Sequence, residues 1–447
     1  MLWERAARAA LTDASYATAV EYADRARDYY LQRGQDRAAA RAQALVGQAL
    51  FRRGHHAEAR EKLTAAVEIL RADPDTDAVH AVEQLATLEA LAGSPDADRL
   101  TTEALILGQA LGVSTGQLSG LLRVRGTYLG TAERRAQAIA YYRESARLAT
   151  QASDNFNLGL ALINLSDVLA VTDPAAAADA ARTAAVPLRR VGNRDGLAVA
   201  INNLVVALLE LGDWDAADGE LTQAADADGL ADIDLLACVR GWLAALRGDA
   251  GTAETMLAGL RDLRASEDPW DKSVIGIAEA FIAAARRQPR DALRHARAVL
   301  AHADASGISA ETMRWAWPLA ARAACELRDT AATAELLALL DSRQPGHLAP
   351  MLRAERELVR ARLAAGHGDQ AAAGAIAAAV STVRDLSTPY HLAHGLLDHA
   401  GHLSRLGDAA AAALAIGEAC DIGQRLGCQP LLDRAADMTP AAPRART

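Results

Sequence analysis

Three imidazoles and one carboxylate fall at helical spacing near the end of this 447-residue chain. At about 100° per residue, His394, Asp398 and His402 lie within about 80° of one another, and His391 shares their sector. Leu392, Leu396, Ala400 and Leu403 form an apolar stripe on the other side, so the polar set is expected to face solvent or a groove. Imidazole nitrogens and a carboxylate can ligate zinc or nickel. The plainer reading is a solvated face on which Asp398 pairs the histidines one turn away. It is favoured because metal sites draw ligands from more than one element. No metal and no other cofactor is therefore expected.

Amide and indole side chains supply the remaining candidates. Asn164, Asn202 and Asn203 sit on the first helices of two middle repeats, with Asn155 and Asn157 just upstream. An amide offers both a donor and an acceptor, which suits gripping an extended peptide backbone. The alternative is a hydrogen bond to a neighbouring turn that fixes repeat geometry. Trp315 and Trp317 are two apart, so one is expected in the core and one exposed, while Trp270 lies in the turn Asp268-Pro269-Trp270-Asp271. Aromatic anchors favour interfaces. Asn164, Asn202, Asn203, Trp270 and Trp317 are thus the partner-binding candidates, set against inter-repeat packing. No Ser/His/Asp triad can be argued, and no catalytic residue is assigned.

The elements that must position these residues are written in a repeat. A small residue recurs about every 39 positions, at Ala19, Ala59, Ala97, Ala138, Ala177, Ala217, Ala253, Ala292, Thr333, Ala373 and Ala412. Twelve residues earlier stands a second position, small at Ala7, Gly47, Gly126, Gly241, Ala280, Ala321, Ala361 and Ala400. Antiparallel helices cross closely only where both carry Gly or Ala. A turn precedes the slot at Gly54, Gly212-Asp213, Gly248-Asp249, Gly368-Asp369 and Gly407-Asp408. Glycine ends one helix in the left-handed region, and aspartate can cap the next. These spacings predict an all-α superhelical solenoid of about eleven helix-turn-helix units. It is expected to form a single elongated domain over residues 1–438, with a disordered tail at 439–447.

Composition agrees and excludes several functions. Hydrophobic residues are 51% of the chain and aromatics only 4%, with no alternating strand pattern between the turns. A net charge of −10 argues against direct nucleic-acid binding. No apolar run is long enough to span a membrane. The four cysteines are scattered, as in a reduced cytoplasmic protein. There is no GxxxxGK[ST] loop to cradle phosphates, and Lys62 and Lys272 are the only lysines.

The small–twelve–small spacing, with a large residue four later at Leu63, Tyr142, Leu221 and Leu257, resembles the tetratricopeptide repeat (TPR). The period is longer than the usual 34, which keeps HEAT-like arrays as the alternative. Residues 198–213, containing Asn202-Asn203 and Gly212-Asp213, are similar to repeats of large bacterial signalling ATPases. Residues 388–400 and 425–435 resemble the terminal TPR region of actinobacterial ATPase regulators of LuxR-type or cyclase-linked kind. The resemblance implies a non-catalytic protein- or peptide-binding scaffold or sensor in signal transduction or transcriptional regulation. Its ligand would lie in a concave groove, and an ATPase module would lie upstream. Two alternatives stand beside it: a small-molecule effector sensor near residues 150–250, and an enzyme or metal protein using the His391/His394/Asp398/His402 face.

Overall fold

The computed structural model describes residues 2–13, 15–266, 268–344, 346–365 and 371–438. The turn at Gly368-Asp369 and the tail at 439–447 lie outside the described residues. The fold is an all-α solenoid of TPR-like helical hairpins, with 25 helices and no strand among the described residues. Eleven hairpins run from Leu2–Thr12 with Tyr16–Leu31 to Pro389–Leu406 with Ala409–Leu426. Two short helices, Arg261–Ala265 and Ala303–Ser306, and a last helix, Gln429–Met438, complete the set. The hairpins fall into two compact units, residues 1–168 with 186–191, and residues 169–185 with 192–447. No helix among the described residues is long and apolar enough to cross a membrane.

Each hairpin is drawn tight at its small residues. Ala59, Ala138, Ala217 and Ala253 are completely buried. A methyl group added to Gly47 would sit 2.6 Å from Cγ of Leu63. At Gly126 it would meet Cε1 of Tyr142 at 2.6 Å, and at Gly241 Cδ1 of Leu257 at 2.5 Å. The large residue four beyond each slot therefore occupies the space its glycine leaves open. This gives an expected result. Gly126→Ala gains about 1 kcal/mol of helix propensity, yet the methyl must displace the buried Tyr142 ring, whose hydroxyl donates to Thr127 Oγ1 at 3.3 Å. Overpacking of this kind costs about 1–3 kcal/mol. Calorimetry should show a lower melting temperature for the alanine variant; a higher one would refute the close-approach argument.

The turn inside the hairpin keeps its geometry even where its sequence changes. Gly212 and Gly248 end their helices at φ 83° and 100°. Glu133, Arg287 and Arg328 hold the corresponding places at φ 60°, 56° and 55°, in the left-handed region that glycine favours. Capping by the next aspartate is uneven. Asp249 and Asp408 accept from Thr252 N and Ala411 N, whereas the Asp213 side chain caps nothing.

Candidate functional site

Within each unit the first helices of successive hairpins pack on one another, while second helices pack on first helices. Closer spacing on one side puts the first helices on the inner face. In the first unit the contacts of that face among the described residues run between neighbouring hairpins, and polar side chains from three successive first helices share it. A methyl on Gly120 would lie 2.8 Å from Glu83 Oε1 and 3.5 Å from Asn157 Oδ1. Arg123, one turn on, has a buried Nε with no hydrogen-bond partner among the described residues. Burial lowers its pKa, and the Glu83 carboxylate opposes that shift. Asn157 Nδ2 donates to Gly116 O at 3.3 Å and to Asp154 Oδ2 at 2.8 Å. Asn164, half-buried, donates to Thr127 Oγ1 at 3.3 Å across the neighbouring first helices.

The second unit is built differently, because its inner face closes on itself. Helix Arg194–Leu211 touches Pro389–Leu406, five hairpins on, and Asp234–Arg247 touches Gln429–Met438. At these crossings the backbone approaches closely: the Cβ position of Gly248 lies 2.9 Å from Cδ of Pro430. Cys428 donates its thiol proton to Leu246 O at 3.2 Å. Rings fill the middle, with Trp242–Trp315 centroids at 5.1 Å, Trp315–Tyr390 at 5.8 Å and Trp214–Tyr390 at 5.9 Å. Beside them Arg314 Nη2 donates to Glu210 Oε1 at 2.7 Å, both side chains being 3% exposed.

Closure corrects two expectations. Trp315 and Trp317 were to divide between core and surface, yet both are fully buried. Trp317 donates to Leu336 O at 2.8 Å inside its hairpin, and Trp315 covers the inner face. The histidine stripe was to face solvent or a groove, yet His391 is fully buried, His402 is 3% exposed and the Asp398 side chain 5%. Its sector does oppose the leucine stripe, but in a closed array that direction leads into the interior. Asp398 is clamped by Arg362 at 2.6 Å and by Arg434. Its pKa stays below the usual carboxylate range; burial opposes this, and the two guanidiniums prevail. Arg434 Nη1 also donates to His394 Nδ1 at 2.9 Å. Among the described residues no group of three or more His, Cys, Asp or Glu could hold a metal ion.

The other candidates do not assemble. Asn202 is 3% exposed and its Nδ2 reaches Asn203 Oδ1 at 3.4 Å, a local pairing. Trp270 is 43% exposed at the start of Pro269–Ala285, where its backbone N donates to Asp268 Oδ1. Sequence reasoning missed Arg123 and Glu83 in the first unit, and Arg322, Glu355, Arg362 and Tyr390 in the second. An available signal was Glu311–Glu326, apolar on nearly every side, since such a helix is covered all round. The Cys238 and Cys428 thiols are pushed up to about 12 by burial, which leaves almost no thiolate for chemistry.

No family model matches the sequence, and no curated protein matches it. Solved structures with a similar chain course share little sequence. A Rap protein complexed with competence and sporulation factor is 11% identical over 90% of this chain and 99% of its own, at a TM-score of 0.47. Yeast Tom70 is 12% identical over 97% of this chain and 94% of its own, at 0.38. RapI in its apo form is 10% identical over 87% of this chain and 98% of its own, at 0.40.

Proposed function

We propose that the chain is a non-catalytic scaffold that binds a protein or peptide along the inner face of its first unit. The observation that carries this reading is the row of Glu83, Gly120, Arg123 and Asn157, where a buried Arg123 Nε lacks an acceptor among the described residues. A polypeptide backbone presents acceptors and donors in alternation, which this mixed row can match. The second unit supports the assignment indirectly, because its own rings occupy the corresponding space.

A peptide selected from a display library against the full chain provides the test. Arg123→Ala is expected to weaken it tenfold or more, since a hydrogen bond from a charged donor contributes about 1.5–3 kcal/mol. Gly120→Ala should narrow the row, its methyl displacing only the flexible end of Glu83. Neither change should lower the melting temperature by more than about 3 °C, the effect of roughly 1 kcal/mol. If selected peptides bind both variants as tightly as the parent, the docking face lies elsewhere.

The proposed setting is cytoplasmic bacterial signal transduction or transcriptional regulation, with an upstream ATPase module as a second partner, and with no direct contact to nucleic acid or membrane. It rests on the resemblance of residues 198–213, 388–400 and 425–435. A fused or adjacent ATPase-coding segment would support it, and genomic neighbourhoods lacking one would count against it.

A further inference from the structure

We propose that the second unit holds a small oxyanion, a carboxylate or phosphate group, between the Arg322 guanidinium and Nε2–H of His394, beside the ring of Tyr390. This goes beyond the docking reading: it concerns another unit and another class of ligand.

Convergence comes first. The Tyr390 ring lies 4.7 Å from the His394 ring and 5.2 Å from that of His391, with Cζ of Arg322 stacked over it at 5.3 Å. Next, the groups meeting there lack acceptors. Both terminal nitrogens of Arg322 are buried without a hydrogen-bond partner among the described residues, and so are Nε2 of His391 and of His394. A guanidinium can only donate. Because Arg434 donates to Nδ1 of His394, that nitrogen must hold the lone pair, and the ring proton is on Nε2. His394 is thereby fixed as a donor too. Thr388 Oγ1 engages Nδ1 of His391 at 2.6 Å, leaving only Nε2 of that ring for the site.

Charge points the same way. Arg322, Arg362 and Arg434 face Asp398 and Glu355, with Glu326 beside Arg362, and Asp398 is already taken by Arg362 and Arg434. Glu355 accepts from Ser387 Oγ at 3.1 Å, and burial raises its pKa to about 7. At neutral pH the cluster therefore carries excess positive charge around donors that find no acceptor in the chain beyond the Tyr390 hydroxyl beside Arg322. An oxyanion supplies both the charge and the acceptors, in the forked geometry that arginine prefers.

The test titrates the full chain with formate, acetate and inorganic phosphate by calorimetry, in chloride at constant ionic strength. Saturable one-to-one binding of at least one of them is expected, and comparison of acetate with phosphate identifies the group preferred. Arg322→Met should weaken that binding at least tenfold and Arg322→Lys by less, since the lysine keeps the charge and loses the fork. With no oxyanion present and at about pH 5.5, where the Glu355 carboxyl facing Arg322 is protonated, R322M should melt no lower than the parent. The proposal is overturned if none of the three ions saturates the parent. Equal binding to R322M overturns it too, as does R322M failing to fold or melting lower at that pH without the ion, for Arg322 would then be satisfied by the chain itself.

Discussion

Replacing Arg314 with methionine should destabilise the second unit by about 3–5 kcal/mol, the usual cost of stranding one partner of a buried ion pair. Glu210 and Arg314 stand 104 residues apart and meet where the array closes, each side chain 3% exposed. Burial already raises the pKa of Glu210 despite the guanidinium. Without Arg314 its carboxylate would be charged and dry, with the Trp315 indole as a neutral donor and no counter-charge. The loss should shrink on acidification, because a protonated Glu210 can remain buried at small cost. Glu210→Gln combined with Arg314→Met should recover most of the stability, since a buried pair replaced as a whole is often nearly neutral. Calorimetry of the four proteins in the double-variant cycle decides the matter. A single variant that loses less than about 1 kcal/mol, or a double variant as poor as the single, would mean that the pair is not sealed from water.

The hairpins were legible and the closure was not, and the difference is one of range. Gly126 and Tyr142 are neighbours within one hairpin, so their complementarity shows as a fixed spacing in the sequence. The turn was readable at Gly212 and Gly248, and hidden at Glu133, Arg287 and Arg328, where ordinary residues adopt the glycine conformation. By contrast, Cys428 reaches Leu246 across 182 residues. Such a contact depends on small rotations accumulated over five hairpins, and no local pattern states their sum. Helical periodicity puts His391, His394 and Asp398 on the side of the helix away from the leucines. Whether that side is a groove or an interior depended on closure alone. Of the first-unit row Asn157 was singled out, while Glu83, Gly120 and Arg123 escaped notice for a related reason, since the members come from three helices and none belongs to a motif.

The buried charges of the second unit should also give the protein a bell-shaped stability profile, and Glu355→Gln should reduce its alkaline limb to the part that Glu210 contributes. The groups facing Glu355 are Arg322, Arg362, Asp398 and Ser387. Burial outweighs the arginines and lifts its pKa from 4.5 to about 7. Between those values the folded chain keeps a proton that the unfolded chain has released, so stability falls as pH rises and stays low above 7. Asp398, held low, contributes only in strong acid. His391 and His394 act in the opposite sense. Burial, reinforced by the charge of Arg322, holds both imidazoles neutral well below 6.5. Once the pH drops under 6.5 the unfolded chain takes up protons that the folded chain refuses, so stability falls with acid. His399, lowered by burial as well, acts in the same sense, and the three imidazoles set the maximum near neutrality. The glutamine is isosteric with the protonated acid, so E355Q should gain up to about 3 kcal/mol at pH 8, the equivalent of the pKa displacement. At pH 4.5 and below it should gain almost nothing. Without Glu355 to offset them, the imidazoles should make its decline between pH 6.5 and 4.5 steeper than the parent's. Melting temperatures measured from pH 4 to 8 test each limb. An E355Q protein that is no more stable than the parent at pH 8 would show that the Glu355 carboxylate is at ease as an anion, fully compensated by Arg322.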